Sequence, residues 1–310
     1  MSARQTLCIT ATLIAATAAT PALADDCEVE RDALLDALAR NGFAVEAEGT
    51  FSETFGRCRI RDMVVAEPAL TLDIGMLEWD LEGLAALDAG AGSASLNATL
   101  DNLRMIPGAE DPWIGYMLRE QNRRNTIDGT LSVSWDMDTG RFELEALTLD
   151  LPGDNALSLA IRAGGLPPQI LAGGVANAAA AAVEGMELVV TNTGFADGLI
   201  LSALGGAMSG LPGTPERQMA ATRRDARTVV EDLPDTLLDA GSKAALGALI
   251  DDAPVPWGTL AITLAADPAL PFLRFPALAL SSNPFDPAAL GFAFDGAKID
   301  IRFDPAPDPE

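Results

Sequence analysis

Hydrophobic and polar residues alternate along several stretches of the chain, with the period of a half-buried β-strand. In the first half of the chain the alternation covers residues 43–47, 58–60, 70–79 and 95–103. Successive side chains of a strand point to opposite faces, so each stretch has one apolar face and one polar face. We therefore expect antiparallel strands that bury one face and leave the other in water.

A second block of alternation, between residues 130 and 161, contains two sequences typical of tight turns. Asp136-Met-Asp-Thr-Gly140 and Pro152-Gly-Asp-Asn155 separate three apolar stretches, and their Gly, Asn and Asp residues accept the backbone conformations of hairpin turns. The block is predicted to be a three-strand meander. Asp136 and Asp138 also match the start of a calcium loop, but Gly140 stands where a third acidic ligand belongs, so the turn is the preferred interpretation.

Two short segments in this β-rich region have the period of an α-helix instead. Residues 32–40 place Leu34 and Leu38 on one stripe, and Asn41-Gly42 follows as a stop. Residues 113–124, between the two β-blocks, form a predicted helix with four side chains on one side: Trp113, Tyr116, Met117 and Gln121.

Helical patterns dominate the next region, residues 167–250. The Gly- and Ala-rich segments 167–183 and 195–210 are only weakly amphipathic, so we expect them to be buried on most sides or to cover a sheet. Their small residues leave room for an apolar groove that lipid tails would fill, although the same residues would also serve to close a core. Two further helices are predicted, over 214–230 with a proline in the first turn and over 234–250.

Strand-like alternation returns in the last region, at 259–264, 291–294 and 298–303. The Pro- and Asp-rich tail 304–310 has little apolar surface to bury and is predicted to be disordered.

The order of these regions indicates the α+β class, with a curved antiparallel β-sheet built of meander blocks and covered by a helical segment. The regions are β-rich 43–163, helix-rich 167–250 and β-rich 257–303. No linker separates them, so we predict a single domain over 25–303.

The N-terminus, residues 1–24, has the three parts of a secretory signal peptide. Arg4 supplies the positive charge, 7–19 the apolar run, and Ala22-Leu-Ala24 the small-residue cleavage site. The run is too short to span a bilayer and leads into the acidic Asp25-Asp26. We therefore expect cleavage before Asp25, export to the periplasm and no transmembrane anchor after cleavage.

Cys27 and Cys58 remain of the three cysteines once Cys8 leaves with the signal peptide. Neither directly follows the cleavage site, as a lipid-modified cysteine would. In an oxidising compartment we expect them to form a disulfide that closes a loop of about thirty residues and contributes roughly 3–4 kcal/mol. Two buried free thiols are the alternative.

The chain is strongly acidic, with 20 Lys and Arg against 45 Asp and Glu and a net charge of −25 at pH 7. A protein of this sign repels phosphate backbones, which argues against nucleic acid as a partner. Positive charge is concentrated on the predicted helix 214–230, at Arg217, Arg223, Arg224 and Arg227. These arginines are a candidate binding face for an anionic partner, and pairing with neighbouring acids is the alternative.

The chain contains no histidine, which excludes Ser-His-Asp and Cys-His catalysis and histidine metal sites. Carboxylates are plentiful, so their number does not exclude a glycosidase-like acid/base pair. Sugar-binding clefts use aromatic platforms, however, and only 5% of the residues are aromatic. Ser242 and Lys243 are neighbours on a predicted helix and point in different directions. We predict no catalytic residue, cofactor or metal ligand, and we do not expect an enzyme.

A Trp-Asp pair closes a strand in each β-block, at Trp79 and at Trp135, which fits two related blocks. Trp135-Asp-Met-Asp-Thr-Gly140 leads into the strand sequences LEALTLDL (144–151) and ALSLAIR (156–162). These segments resemble the repeated β-meanders of AsmA-like and related periplasmic envelope proteins of Gram-negative bacteria, over residues 43–163. The resemblance implies a role in maintaining the outer envelope and contact with lipids.

Three classes of function remain open on this sequence. A non-catalytic, soluble periplasmic envelope protein that binds lipid or another apolar ligand is expected to have an apolar groove beside the 167–210 helices. A structural or partner-binding module is expected to have a filled core and an exposed patch, such as the Arg217–Arg227 face. A carboxylate-dependent hydrolase is expected to have two acids facing each other in a cleft. We favour the first.

Overall fold

The computed structural model describes most of the chain between Cys27 and Ala306. The described residues are 27–40, 42–54, 56–67, 70–83, 86, 89–108, 112–123, 125–167, 180–195, 197, 213–275 and 287–306. The predicted signal peptide, residues 1–24, lies outside them, as do 168–179 of the first Gly/Ala-rich segment and 198–210 of the second. The predicted groove beside these segments therefore stays a prediction.

The chain divides into two compact units. The first unit consists of Met1–Leu149 and Gly165–Ala178, and the second of Asp150–Gly164 and Ala179–Glu310. The sequence-based prediction of a single domain over 25–303 stays a prediction.

The first unit is built mainly of strands. Its elements are α1 (Cys27–Arg40), β1 (Ala44–Ala47), β2 (Thr50–Thr54), β3 (Arg57–Glu67), β4 (Leu70–Glu82), β5 (Ser93–Pro107), α2 (Pro112–Asn122), β6 (Ile127–Asp136) and β7 (Arg141–Leu151). The strand order is β1-β3-β4-β5-β6-β7, and β2 also pairs with β3. Pairing from β1 to β6 is antiparallel, as the alternating pattern predicts.

The main core of the first unit lies where α1 covers β3 and β4. β3 buries Ile60, Met63 and Val65, with the alternation interrupted at Asp62, where φ is +57°, and Leu34 of α1 packs against these residues. The register is fixed from Cys58 opposite Trp79 to Glu67 opposite Leu70. This register decides which β4 side chains reach α1, because a slip by one residue would turn every side chain to the other face.

The second unit contains four strands with helices beside them. Its elements are β8 (Asn155–Gly164), β9 (Ala182–Asn192), α3 (Pro215–Asp232), α4 (Ala240–Asp252), β10 (Gly258–Pro271), α5 (Pro287–Ala293) and β11 (Ala297–Pro305). The strands follow the order β8-β9-β10-β11, and all three pairs are antiparallel. Leu264 and Ile301 of the sheet form a core with Leu237 and Leu238, which precede α4.

The predicted α+β class, with antiparallel meanders and added helices, is confirmed. The predicted helices at 32–40 and 113–124 are present, and α1 begins five residues earlier than expected, at Cys27. The first of the three predicted final strands, 259–264, lies within β10, and the last, 298–303, lies within β11.

Several predicted boundaries were wrong. Residues 291–294 were predicted to be a strand, but α5 occupies Pro287–Ala293, because proline at its first position favours a helix and four alternating residues are too short a signal. The helix expected to start at Pro234 begins at Ala240, since Leu238 instead forms a β-bridge with Ile299. β9 begins at Ala182, inside a segment predicted to be helical, and β11 continues to Pro305, past the predicted start of the tail.

None of the described helices combines the length and the apolar composition needed to cross a bilayer.

Candidate functional site

The predicted disulfide between Cys27 and Cys58 is present and joins the first residue of α1 to β3. The Cα atoms of the two cysteines lie 5.3 Å apart. Both residues are in the core, where Cys27 is 3% exposed and Cys58 is 1% exposed. The bridge therefore fixes α1 on the sheet at the start of the helix, and the alternative of two free thiols is excluded.

A buried carboxylate lies against this bridge. Glu30 follows Cys27 by one helical turn and is 6% exposed. Its Oε2 accepts a hydrogen bond from Trp79 Nε1 at 2.7 Å and lies 3.2 Å from Cys58 Sγ. A disulfide sulfur carries no hydrogen, so the second distance is a packing contact between oxygen and sulfur.

Sequence reasoning missed Glu30 because its role depends on the register of two strands. Trp79 lies directly opposite Cys58 in the β3–β4 pair, so the indole N–H and the bridge reach the same point under α1. The spacing Cys27-x-x-Glu30 is the signal that was available, since residues three apart lie on one face of a helix. Cys27, Glu30 and Cys58 form a group of three potential metal ligands, all of them buried.

The four predicted arginines of α3 fall into two pairs. Arg223 donates a hydrogen bond to the Ala253 carbonyl, and Arg227 forms an ion pair with Asp251. Asp251 and Ala253 lie at the C-terminal end of α4, so these two arginines link α3 to α4. The contact of Arg227 matches the alternative of pairing with a neighbouring acid, whereas Arg223 binds a backbone carbonyl.

Arg217 and Arg224 take no part in these contacts and are exposed. Neither forms an ion pair with another described residue. α3 has no buried residue, so the helix lies on the surface of the second unit. A binding role for Arg217 and Arg224 stays a prediction.

The largest exposed apolar side chains of the first unit lie on α2. Trp113 is 68% exposed, and Tyr116 and Met117 are each 48% exposed. The rings of Trp113 and Tyr116 stack with centroids 5.5 Å apart and an angle of 22° between their planes. We call Trp113, Tyr116 and Met117 the aromatic face of α2, and these three belong to the side of the helix predicted from the sequence. The side chain of Gln121, the fourth predicted member, lies outside the described part of the chain.

Two arginines follow the aromatic face in the sequence, and Arg119 lies on the Gly115 side of the helix, because its Nη1 is 3.5 Å from the place where a Cβ of Gly115 would stand. Arg119 is exposed, and Arg123 is exposed and pairs with Glu120 at 3.6 Å. Ion pairs of this exposed i,i+3 kind contribute little and exchange with water, so the guanidinium of Arg123 is available to other anions. Buried Gly115 marks the opposite side of the helix, which faces the protein.

A second group of exposed apolar side chains lies in the second unit, at Phe272, Leu273 and Phe292. Arg274 covers one side of Phe292, with its guanidinium carbon 5.8 Å from the ring centroid. Arg274 also donates a hydrogen bond to the Asp295 carbonyl at 2.6 Å, so this arginine already has an intramolecular role.

Asp136 and Asp138 form a turn, as the preferred interpretation predicted. The Asp136 carboxylate accepts hydrogen bonds from the backbone N–H groups of Asp138 and Thr139, and Asp138 accepts one from Gly92. Hydrogen bonds from Thr139 and from the Asp138 backbone hold the pKa of the Asp136 carboxyl below its ordinary value. These carboxylates are therefore engaged in fixing the β6–β7 hairpin.

No protein-family model matches the chain, and no curated protein matches it significantly. The geometry of the described residues is therefore the basis for the functional argument.

Proposed function

We propose that this protein is a non-catalytic periplasmic envelope protein that binds lipid, and that the aromatic face of α2 makes the contact. The observation that carries the proposal is the exposure of Trp113, at 68%, in a stack with Tyr116. Exposed apolar patches on a folded domain commonly mark an interaction site, whereas single exposed residues need no explanation.

The residue types on this face suit a lipid–water boundary. Trp and Tyr are enriched at membrane interfaces, where the ring contacts the acyl region and the N–H or O–H stays hydrated. Met117 adds a flexible apolar side chain that adapts to an irregular surface. Together the three side chains expose on the order of 300 Å², which is within the size of patches that are often functional.

Charge next to the aromatic face favours a lipid headgroup over a neutral apolar ligand. Arg123 directly follows the same helix, and a long arginine side chain extends toward phosphates from an apolar surface. The net charge of −25 opposes approach to an anionic surface, so we expect binding to be weak and reversible.

The proposed compartment agrees with the bridge. A buried disulfide persists in oxidising compartments and is rare in the cytosol of most organisms. The resemblance to AsmA-like proteins points to the same place and to lipid contact, and it stays a prediction.

Vesicle binding tests the lipid proposal. We expect the protein to associate with vesicles of phosphatidylcholine and phosphatidylglycerol, with a blue shift of Trp fluorescence as Trp113 leaves water. The double variant Trp113→Ala/Tyr116→Ala should bind about tenfold more weakly or worse, because most of the buried apolar area is lost. Phe292→Ala removes an exposed aromatic ring from the second unit and is the matched control.

Equal vesicle binding by the double variant and the wild type would refute the role of α2. Loss of vesicle binding in Phe292→Ala alone would show that the second unit, and not α2, contacts the lipid. No binding by the wild-type protein to any vesicle would refute the lipid proposal as a whole.

A structural or partner-binding role is the second candidate, and the exposed Arg217 and Arg224 favour it. Their guanidinium groups are free of ion pairs with the described residues and lie on a helix without buried residues. A photo-crosslinker at Ala220, on the exposed surface of α3, should capture an envelope protein in living cells. Arg217→Glu/Arg224→Glu should abolish that product, whereas a crosslinker at the exposed Ala244 on α4 should not form it.

A further inference from the structure

We propose that Cys27, Glu30 and Cys58 bind a thiophilic divalent cation, such as Zn²⁺, while the two cysteines are in their dithiol form. The inference is independent of lipid binding, since it concerns the bridge of the first unit. One sulfur from each cysteine and one carboxylate oxygen lie within 4.8 Å of one another, and all three residues are buried.

The distance between the Glu30 carboxylate and the Cys58 sulfur suits a tetrahedral site, and the two sulfurs, which are bonded to each other in this structure, must separate in the dithiol form. Ligand atoms of such a site lie about 3.3–3.8 Å apart, because Zn–S bonds are about 2.3 Å and Zn–O bonds about 2.0–2.2 Å. Glu30 Oε2 is already 3.2 Å from Cys58 Sγ, and the Cα atoms of the cysteines, 5.3 Å apart, leave room for both sulfurs to reach one ion by side-chain rotation. A water molecule would complete four-coordination.

Trp79 holds the carboxylate in place for this role. Its indole N–H donates to Glu30 Oε2 at 2.7 Å, and this bond orients the carboxylate toward Cys58. Hydrogen-bonding partners of this kind commonly set the geometry of metal-ligating carboxylates. The ligand set is therefore oriented before any ion arrives.

Charge balance explains why a cation would bind. Opening the bridge takes two electrons and two protons from a dithiol reductant, which is itself oxidised to a disulfide, and leaves two thiols. Without a cation these thiols stay protonated, because burying two thiolates beside a carboxylate is costly. When the cation binds, both thiol protons leave to solvent, and two thiolates and one carboxylate leave a net charge of −1 on the site. Thiolate ligands select Zn²⁺ or Cd²⁺ over Mg²⁺ or Ca²⁺.

Burial of the site places this event during folding. Cys27 and Cys58 are 3% and 1% exposed, so an ion enters before α1 has packed against β3. The same cluster then has two ways to join α1 to the sheet. Before oxidation a cation makes the link. An external disulfide then accepts two electrons from the two thiolates and is cleaved to two thiolates of its own, the Cys27–Cys58 bond forms, and the cation leaves.

Cobalt spectroscopy on reduced protein tests the proposal. The chain is refolded with a phosphine reductant and Co²⁺, which gives strong absorption from thiolate-to-metal charge transfer when it replaces Zn²⁺. We expect one Co²⁺ per chain by native mass spectrometry, competition by Zn²⁺, and no binding to the oxidised protein. Glu30→Gln should weaken binding about tenfold or more while it still accepts from Trp79, and Glu28→Gln, which changes an exposed acid in the same helical turn, should not.

Three results would overturn the inference. The first is a folded, reduced protein without the charge-transfer band. The second is a Glu30→Gln variant that binds Co²⁺ as tightly as the wild type, which would reduce the site to the two cysteines. The third is a reduced chain that stays unfolded by circular dichroism with and without Zn²⁺.

Discussion

Glu78 on β4 is held by two arginines of the neighbouring strand. Arg59 Nε donates to its Oε2 at 2.8 Å, and Arg57 Nη1 lies 3.2 Å from its Oε1. The hydrogen bond from Arg59 is the main cause that lowers the pKa of the Glu78 carboxyl below its ordinary value of 4.5. The ionised form is therefore stabilised more in the folded protein than in the unfolded chain.

This shift predicts a pH-dependent contribution to stability. Because the folded pKa of Glu78 is depressed, its contribution is complete above the ordinary pKa and is lost as the pH falls through the lower one. We expect Glu78→Gln to lower the free energy of unfolding by about 1 kcal/mol at pH 7, a modest value since the arginines are partly solvated. Urea titrations of both proteins from pH 7 to pH 2 should show the difference shrinking in acid. A constant difference, or an equal effect of the exposed control Glu53→Gln, would contradict this account.

Two glycines should respond oppositely to alanine. Gly258 has φ +134° at the start of β10, and a Cβ there would collide with the Asp304 carbonyl, so Gly258→Ala should lower the free energy of unfolding by about 2 kcal/mol or more. Gly247 lies inside α4, and a methyl group at this position would meet no atom within 4 Å. Gly247→Ala should therefore raise the free energy of unfolding by about 0.5–1 kcal/mol. Denaturant unfolding of the two variants checks both signs.

For individual residues, the sequence predicted some contacts and not others. The disulfide pair could be predicted because the count of cysteines and their distance from the cleavage site left one pairing. Glu30 could not, because its acceptor role arises only when Trp79 is brought opposite Cys58 across two strands. The four α3 arginines were identified from the sequence. The contacts of Arg223 and Arg227 with α4, which distinguish them from Arg217 and Arg224, could not be.

The element α1 depends strongly on its covalent link. Apart from the bridge, its only buried apolar side chain is Leu34, among residues whose side chains the structure describes. The double variant Cys27→Ser/Cys58→Ser should lose about 3–4 kcal/mol of unfolding free energy, because the open loop regains chain entropy. Hydrogen exchange should show faster exchange in α1 than in β4. A loss below about 1 kcal/mol would show that packing alone holds the helix.

The element α4 is fixed to β11 by one buried hydroxyl. Ser242 Oγ accepts from the Ile301 N–H at 3.0 Å and faces the Ile299 carbonyl at 3.4 Å. Ser242→Ala leaves a buried N–H without its acceptor, so we expect a cost of about 1–3 kcal/mol in unfolding free energy. Ala244→Ser, an exposed change on the same helix, should stay within about 0.5 kcal/mol. Equal effects of the two variants would refute the role of the hydroxyl.

Long alternating patterns identified elements better than short ones. The strands at 70–79 and 95–103 were predicted because a helix or a loop seldom produces alternation over so many residues. The mistakes came where local signals competed with tertiary contacts. Proline is common at the start of helices, which is why a helix was predicted from Pro234. The bridge between Leu238 and Ile299 instead keeps this segment extended, and Asp239 is the N-cap of α4.

For the whole molecule, the division into two compact units predicts how the chain unfolds. We expect calorimetry to resolve two transitions. Cys27→Ser/Cys58→Ser should lower the one that belongs to the first unit, and Ser242→Ala should lower the other. If residues 25–303 form a single domain, both variants should shift one common transition. That outcome would favour the single domain over two units.

The position of Trp79 next to the bridge also gives the molecule an optical property. A disulfide accepts an electron from an excited indole and quenches its emission, and Trp79 lies opposite Cys58 in the sheet. Reduction of the bridge should therefore brighten Trp79. Trp113 is exposed and emits at longer wavelength than the buried Trp79 and Trp135, so the increase on reduction should appear on the short-wavelength side of the spectrum. The protein's own fluorescence thus reports the state of its bridge without an added label.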